Sequence, residues 1–448
     1  MENTQTQLKA GAVSTAEVTI IGVAGAAPVM CIGGSLHSLL GLSGTGISLS
    51  VAIATLLCVF IGLSYGDLSR KYNCCGGSYA YIARIFGVKP GLWAAFIYYG
   101  VTFTTSACPP TIFATYLNSL TGIPGWVGWA IFAAIMIFVT LQGVGLSTKA
   151  TVVVFIVEMV LMLIPAINLL SLNPNEFLFA TSMENAFVPG NGLNGLFLAV
   201  LVWIWAFVGI EAPSFMGEEL KDGWKGVKFA IPMSALITGI IYVVCCWLWT
   251  ASLSPDQIEI LAGSSDALAA YCNLFNYAAG STMVCLAVMI AAIACGLAMY
   301  TMAIRFMYDQ GRIGLLPKGT TKLNKHQIPW VTTIIYTVIS FIFTMYGLYA
   351  YGGIFDGIND HFTVMGIMAT TTWSLICIGN IKERWHDKGF GAFFTAKVFP
   401  IISVLFIAYT IIFTTGAKYL ILTGAWYLIA LILAFALSKR VKLQDLAQ

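Results

Sequence analysis

Two carboxylates stand where a carboxylate is costly. Glu158 lies in "VVVFIVEMVLML", with apolar neighbours on both sides, and Glu211 lies in "WAFVGIEAP", residues 205–213. Ionisable side chains inside apolar segments are rare and mark ligand or ion pathways by default. The second stretch also holds Gly209 and Pro213. Proline removes a backbone donor and clashes with the preceding turn. Open backbone at membrane depth survives only where it is buried in protein or lines a cavity. The first apolar segment has the same breakers in "GVAGAAP", with Gly22, Gly25 and Pro28. Broken helices at matching places in two halves of a chain point to a transporter's midplane site. The alternative is a kinked helix packed around Gly and Pro, which are common in membrane helices. A break exposes half-helix N-termini, which attract carboxylates, and C-termini and carbonyls, which attract cations.

The elements that must position these residues follow from composition. The chain has 448 residues, 59% hydrophobic and 9% charged, with mean hydropathy +0.87. Soluble domains carry about 25% charged residues, so this chain belongs in a lipid bilayer. A crossing helix needs about 20 apolar residues. Twelve segments meet or approach that, at 16–42, 45–72, 90–119, 124–143, 147–171, 191–219, 228–251, 280–308, 329–350, 361–380, 395–414 and 417–437. With the N-terminus inside, 21 of the 22 basic residues fall on the cytoplasmic side, in loops or at helix ends, and only Lys418 falls outside, as the positive-inside rule requires. Both termini are then cytoplasmic. A polar tail to about Thr15 is followed by an intact long apolar segment without a small-residue cleavage site, so that segment is expected to act as its own insertion signal. The loops near 172–190 and 252–279 carry Glu176, Glu184, Asp256, Glu259 and Asp266 and read as solvated outer loops with short surface helices.

Other residues have plainer readings. The eleven cysteines include the adjacent pairs Cys74–Cys75 and Cys245–Cys246 but no CxxC; they read as small hydrophobes, with no metal or cofactor. His37 reads as interfacial. Asp67, Glu218, Glu219 and Asp309 lie at cytoplasmic ends beside Arg and Lys and are expected to form ion pairs there. Asp356, Asp360 and His361 read as outer-loop residues. A phosphate loop, a Ser-His-Asp set and HExxH are all missing from the sequence, and so is a basic domain for nucleic acid. The reading is therefore not an enzyme. A membrane enzyme or a receptor that moves nothing remains the alternative.

Three stretches carry a family resemblance. "LSYGDLSRKYNCCGGSYAY" at 63–81 resembles the signature after the second helix of the amino acid–polyamine–organocation superfamily, through Leu63, Tyr65, Asp67, Leu68, Gly76, Gly77, Tyr79 and Tyr81. "WAFVGIEAPSFMGEELKD" at 205–222, continued by "VKFAIP" at 227–232, resembles its sixth helix. "RFMYDQGRIGLLP" at 305–317 resembles the end of its eighth. Asn73 and Gly223 stand where the family has proline.

The resemblance implies an all-α membrane protein with a five-plus-five inverted repeat of the LeuT type. A cytoplasmic tail (1–15) would precede the first repeat (16–171), and the second repeat (191–380) would be followed by two added helices (395–437) and a cytoplasmic tail (438–448). It implies a secondary active transporter of a small amino acid or related amine, a polyamine included, in the plasma membrane. Transport would be sodium-independent, driven by protons or by exchange against a counter-substrate.

The resemblance also implies a site. Substrate would lie against Ala26, Ala27, Pro28, Val29 and Met30 of the first segment and Trp205, Phe207, Val208 and Gly209 of the sixth. Many members hold a substrate carboxylate on a Gly-small-Gly run where this chain has Pro28, Val29 and Met30, which offer fewer amides. Trp205 matches an aromatic that covers substrate in one antiporter of the superfamily, and a ring face suits an ammonium; plain packing is the alternative for it and for Thr102 on the third segment. Glu211 either bonds loose amides of the break or gates and relays protons. Glu158 matches the place of a lysine that replaces a sodium ion in a proton-coupled relative. Burial without a partner disfavours charge on a carboxylate, so Glu158 reads either as a group that trades a proton or as a neutral acid bonded to Ser, Thr or a carbonyl.

Overall fold

Ser14 starts the first helix with a reciprocal cap: its hydroxyl accepts from the Glu17 amide, and the Glu17 carboxylate accepts from the Ser14 amide at 2.8 Å. Such a box satisfies donors that a helix start leaves open. The computed structural model describes residues 8–173, 192–264, 266–350 and 354–441. Its helices of eight residues or more are α1 (Thr15–Ala26), α2 (Pro28–Ser43), α3 (Ile47–Ser69), α4 (Ser78–Phe86), α5 (Val88–Thr121), α6 (Gly125–Leu141), α7 (Val144–Leu172), α8 (Gly192–Ala206), α9 (Trp224–Thr250), α10 (Pro255–Ala262), α11 (Ala267–Leu274), α12 (Ala278–Arg312), α13 (Trp330–Ala350), α14 (Ile354–Arg384), α15 (Phe399–Thr414) and α16 (Ala417–Leu437). Among the described residues, β structure is limited to two isolated bridges, Val13 with Leu220 and Leu323 with Pro329.

Among the described residues, eight helical stretches suffice by length and apolar composition to cross a membrane, the first running from Thr15 to Ser69; Gly125–Leu141 and Gly192–Ala206 are apolar but shorter. Polarity is inverted relative to a water-soluble helix. On α7 the buried face includes Thr151, Glu158 and Pro165, while Val153, Ile156, Val160, Ile164 and Ile167 are exposed. An apolar surface of this extent needs lipid to cover it. The core forms where α9 lies along α3, α12 lies along α7 and α5, and α1 packs against both α9 and α12.

Four features differ from the sequence reading. The sixth segment does not resume as a second α-helix after its break. α8 stops at Ala206, and the chain continues through turns and the single 3-10 turn Ala212–Phe215 to α9. Gly209 with φ 118 and Pro213, which lacks an amide, prevent α-helical continuation. An extra helix, α4, comes after the double glycine and buries Tyr79, Tyr81, Ile82 and Ile85. α14 begins directly after the "YGG" of 351–353, so Asp356, Asp360 and His361 are helical, not loop; a hydropathy window misses polar turns that extend beyond the apolar slab. Asp266 is no freely solvated acid: it caps α11 by accepting from the Ala269 amide at 3.1 Å and accepts from the Tyr116 hydroxyl at 3.0 Å. Glu176 and Glu184 lie outside the described residues.

Candidate functional site

The first break falls at Ala27, which takes a left-handed conformation (φ 48, ψ 61) between α1 and α2. Pro28 opens α2, where its fixed φ suits a first turn and its missing amide costs nothing. The Cys31 amide returns to the Ala27 carbonyl at 2.9 Å. That leaves the Val29 and Met30 amides as the open donors of this helix start. The second break is a run of tight turns in which Phe207, Val208, Ile210 and Ala212 each donate to the carbonyl three residues back, at 3.0–3.2 Å.

The two breaks touch. A Cβ on Gly209 would sit 2.4 Å from the Gly25 carbonyl carbon and 2.6 Å from its oxygen, so only glycine fits. Tyr242 of α9 holds the pair together: its hydroxyl lies 3.0 Å from both the Ala26 and the Ala206 carbonyl oxygens, sharing one proton between two helix ends. Glu211 is fully buried beside them. It accepts from the Gly209 amide at 2.9 Å and from the Tyr98 hydroxyl at 3.1 Å.

A small cavity lies against the contact, with a free volume of about 20 Å³, room for one water. Of the residues expected from the sequence, Ala26, Ala27, Met30, Trp205 and Val208 line it; Pro28, Val29, Thr102, Phe207 and Gly209 do not. Thr102 donates to the Tyr98 carbonyl within its own helix, and Thr105, nearly one turn further, faces the cavity instead. Phe207 packs edge-on to Tyr242 at 5.3 Å. A second, larger cavity of about 240 Å³ adjoins, lined by Cys31, Ser35, Ser38, Val202, Trp205, Ala206 and Thr363. Cys31, Trp205 and Ala206 belong to both, so these three residues stand between the two cavities. The Trp205 ring is nine-tenths buried, its Nε1–H has no partner among the described residues, and it lies against Gly366 of α14, where a Cβ would come within 2.1 Å of the ring.

Glu158 is fully buried on α7, and neither carboxyl oxygen has a hydrogen-bond partner among the described residues. It is not part of either cavity wall.

Ion pairs gather at the ends of α3, α12 and α14. Arg305 is buried against Glu219 through two nitrogens and also donates to the Thr301 carbonyl at 2.9 Å. Arg312 bonds Glu218 at 2.7 Å and Asp309 at 2.6 Å, and Tyr79 donates to Asp309. Asp67 pairs with Arg384 and, at 3.3 Å, with Lys228. Cys75, Glu218 and Asp309 bring three ligand atoms within 4.8 Å of one another. The Arg312 guanidinium already bonds all three, so the cluster serves a cation the protein supplies itself. The N-terminal segment clips onto this network: the Val13 amide donates to the Glu219 carbonyl at 3.2 Å, and the Lys221 amide to the Val13 carbonyl at 3.0 Å.

Tyr242, Thr105, Gly366 and the cavity cysteines do not stand out in the sequence. Nothing local distinguishes them from packing residues; only the position of the breaks could have directed attention to helices facing them.

Apolar helices turned outward, paired breaks turned inward and a cavity at their contact define a multi-pass membrane protein of the transport class. A family model described as amino acid permease matches residues 12–435, and the chain belongs to that family. It is 23% identical over 434 residues to the branched-chain amino acid permease BcaP of Bacillus subtilis, covering 89% of this chain and 87% of that one. It is 23% identical over 297 residues to the low-affinity putrescine importer PlaP of Escherichia coli, 62% of each chain. It is 21% identical over 392 residues to the methylthioribose transporter of Bacillus subtilis, 81% of this chain and 79% of that one.

Proposed function

We propose that this protein is a secondary active transporter that carries a small amino acid or related amine across the plasma membrane by alternating access. Twelve spans, arranged as inverted repeats over 16–171 and 191–380 with two added helices over 395–437, place both termini in the cytoplasm. The observation that supports this most is the contact of the two breaks, Gly25 on Gly209 under the shared hydroxyl of Tyr242. A static packing core has no use for open backbone at that depth. A transporter does: the Val29 and Met30 amides take a carboxylate, and carbonyls of the breaks take an ammonium. Trp205 separates this site from the outer cavity and acts as its lid.

Glu158 is the coupling group in this reading. An unpartnered buried carboxyl exchanges a proton as the surrounding helices alternate, and uptake runs without sodium, by proton coupling or by exchange. The substrates named for relatives, branched-chain amino acids and putrescine, bracket the class.

Purified protein in liposomes tests the reading. Uptake or exchange of labelled amino acids or polyamines is expected, and its absence across the whole set removes transport in favour of a membrane receptor or enzyme. Cysteine-accessibility labelling tests the topology. Position 418 should react from outside and positions 149, 225 and 388 from inside; one reversal breaks the twelve-span arrangement.

A further inference from the structure

The small cavity has a wall rich in sulfur. Met30, Cys31, Cys108, Cys295, Met299 and Met365 contribute six of its fourteen lining residues, and none of the fourteen is charged. The one lining hydroxyl, Thr105, is already turned to the Thr102 carbonyl at 3.1 Å. The Cys31 and Cys295 thiols donate weakly to the Ala26 and Gly25 carbonyls, at 3.4 and 3.6 Å. Donation through S–H leaves those sulfurs as soft, apolar surface. The nearest helix-breaking acid, Glu211, is committed to Gly209 and Tyr98.

From this wall we infer the substrate class, on top of the transport reading above: a zwitterionic amino acid with an uncharged, apolar side chain, accepted across different shapes. The backbone of the breaks serves one negative and one positive charge. A second fixed charge, as in putrescine, lysine or glutamate, meets no opposite charge in the wall. Burying a charge without a partner costs far more than burying a methylene. Shape tolerance comes from the methionines. Met has three rotatable bonds and a polarisable thioether, and it adapts to irregular partners. With room for only one water at present, the cavity admits a side chain by displacing these flexible groups.

Counterflow in liposomes, with labelled leucine and unlabelled competitors, tests this. Leucine, isoleucine and methionine should compete within about tenfold of one another, whereas a rigid apolar pocket separates such side chains by about 10- to 200-fold. Lysine, glutamate and putrescine should be at least about 100-fold weaker. Putrescine or lysine competing as well as leucine overturns the substrate class and leaves transport standing. Absence of labelled-leucine counterflow overturns the substrate class, and absence with every labelled amino acid and polyamine overturns the transport reading and this one with it. A stiffened wall, Met299→Leu with Met365→Leu, keeps the volume and the apolar character. It should widen the spread among leucine, isoleucine and methionine several-fold; an unchanged spread refutes the adaptable wall.

Discussion

Replacing Gly366 by alanine tests the seat of Trp205 directly. The added methyl would lie 2.1 Å from Cγ, 2.2 Å from Cδ1 and 2.6 Å from Cδ2 of the indole. Carbon atoms rest at about 3.5–4.0 Å, so the ring must retreat by about 1.5 Å. Retreat toward the small cavity meets only about 20 Å³ of space, and retreat toward the cavity of about 240 Å³ on the other side places the ring in the approach to the site. Overpacking of this kind costs about 1–3 kcal/mol, and the displaced ring fills the volume that substrate must use. Gly366→Ala should therefore raise the KM for uptake about tenfold or more, taking about 1.4 kcal/mol per factor of ten, with a smaller loss of thermal stability. Trp205→Leu in the same background removes the clash. The double variant should recover stability relative to Gly366→Ala, a coupling that only groups in contact display. Transport kinetics and melting temperature that match the wild type in Gly366→Ala would refute the seating of Trp205 on α14.

Three further outcomes are expected. Trp205→Ala should weaken substrate binding by about 1 kcal/mol, read as a smaller ligand-induced rise in melting temperature, with Trp205→Phe milder; unchanged affinity reduces Trp205 to packing. Uptake should respond to pH between about 5 and 8 and ignore the sodium gradient, and Glu158→Gln should keep exchange while losing the pH response. A wild-type pH profile in that variant, or sodium-driven uptake in the parent, removes Glu158 from coupling. Arg305→Met strands Glu219 in the interior and should destabilise the protein by about 3–5 kcal/mol; adding Glu219→Leu should restore most of the melting temperature, and failure to do so argues against an isolated pair.

The breaks were legible because glycine and proline have only a few uses inside an apolar segment. Ala27 and the run from Phe207 to Phe215 open where Gly25, Pro28, Gly209 and Pro213 foretell it. The course of the chain beyond each break was not legible. Pro28 can start a helix and does, whereas Pro213 sits in a 3-10 turn, because Gly209 takes a φ that turns the chain away. Rotation about a helix axis was equally hidden. Thr102 and Thr105 differ by three residues, and only packing decides which one faces the cavity. The acids set beside Arg and Lys at the helix ends announced ion pairs, but the partner of Arg305 lies 86 residues away and composition cannot supply that pairing. The cysteines read as small hydrophobes, and Cys31, Cys108 and Cys295 are apolar wall, though wall of the cavity that matters.

The hydroxyl that joins the two breaks bears on how the chain is made. Tyr242 reaches back 216 residues to Ala26. At roughly 5–20 residues per second, a ribosome needs about 10–40 s to deliver it. During that interval the first span is already synthesised, with its Val29 and Met30 amides and its Ala26 carbonyl lacking their later surroundings. Hydrocarbon cannot solvate such groups. Until then the Ala26 carbonyl has only the weak Cys31 thiol of its own segment as donor, so the junction of α1 and α2 gains its hydroxyl clamp only after the helix that carries Tyr242 has been made.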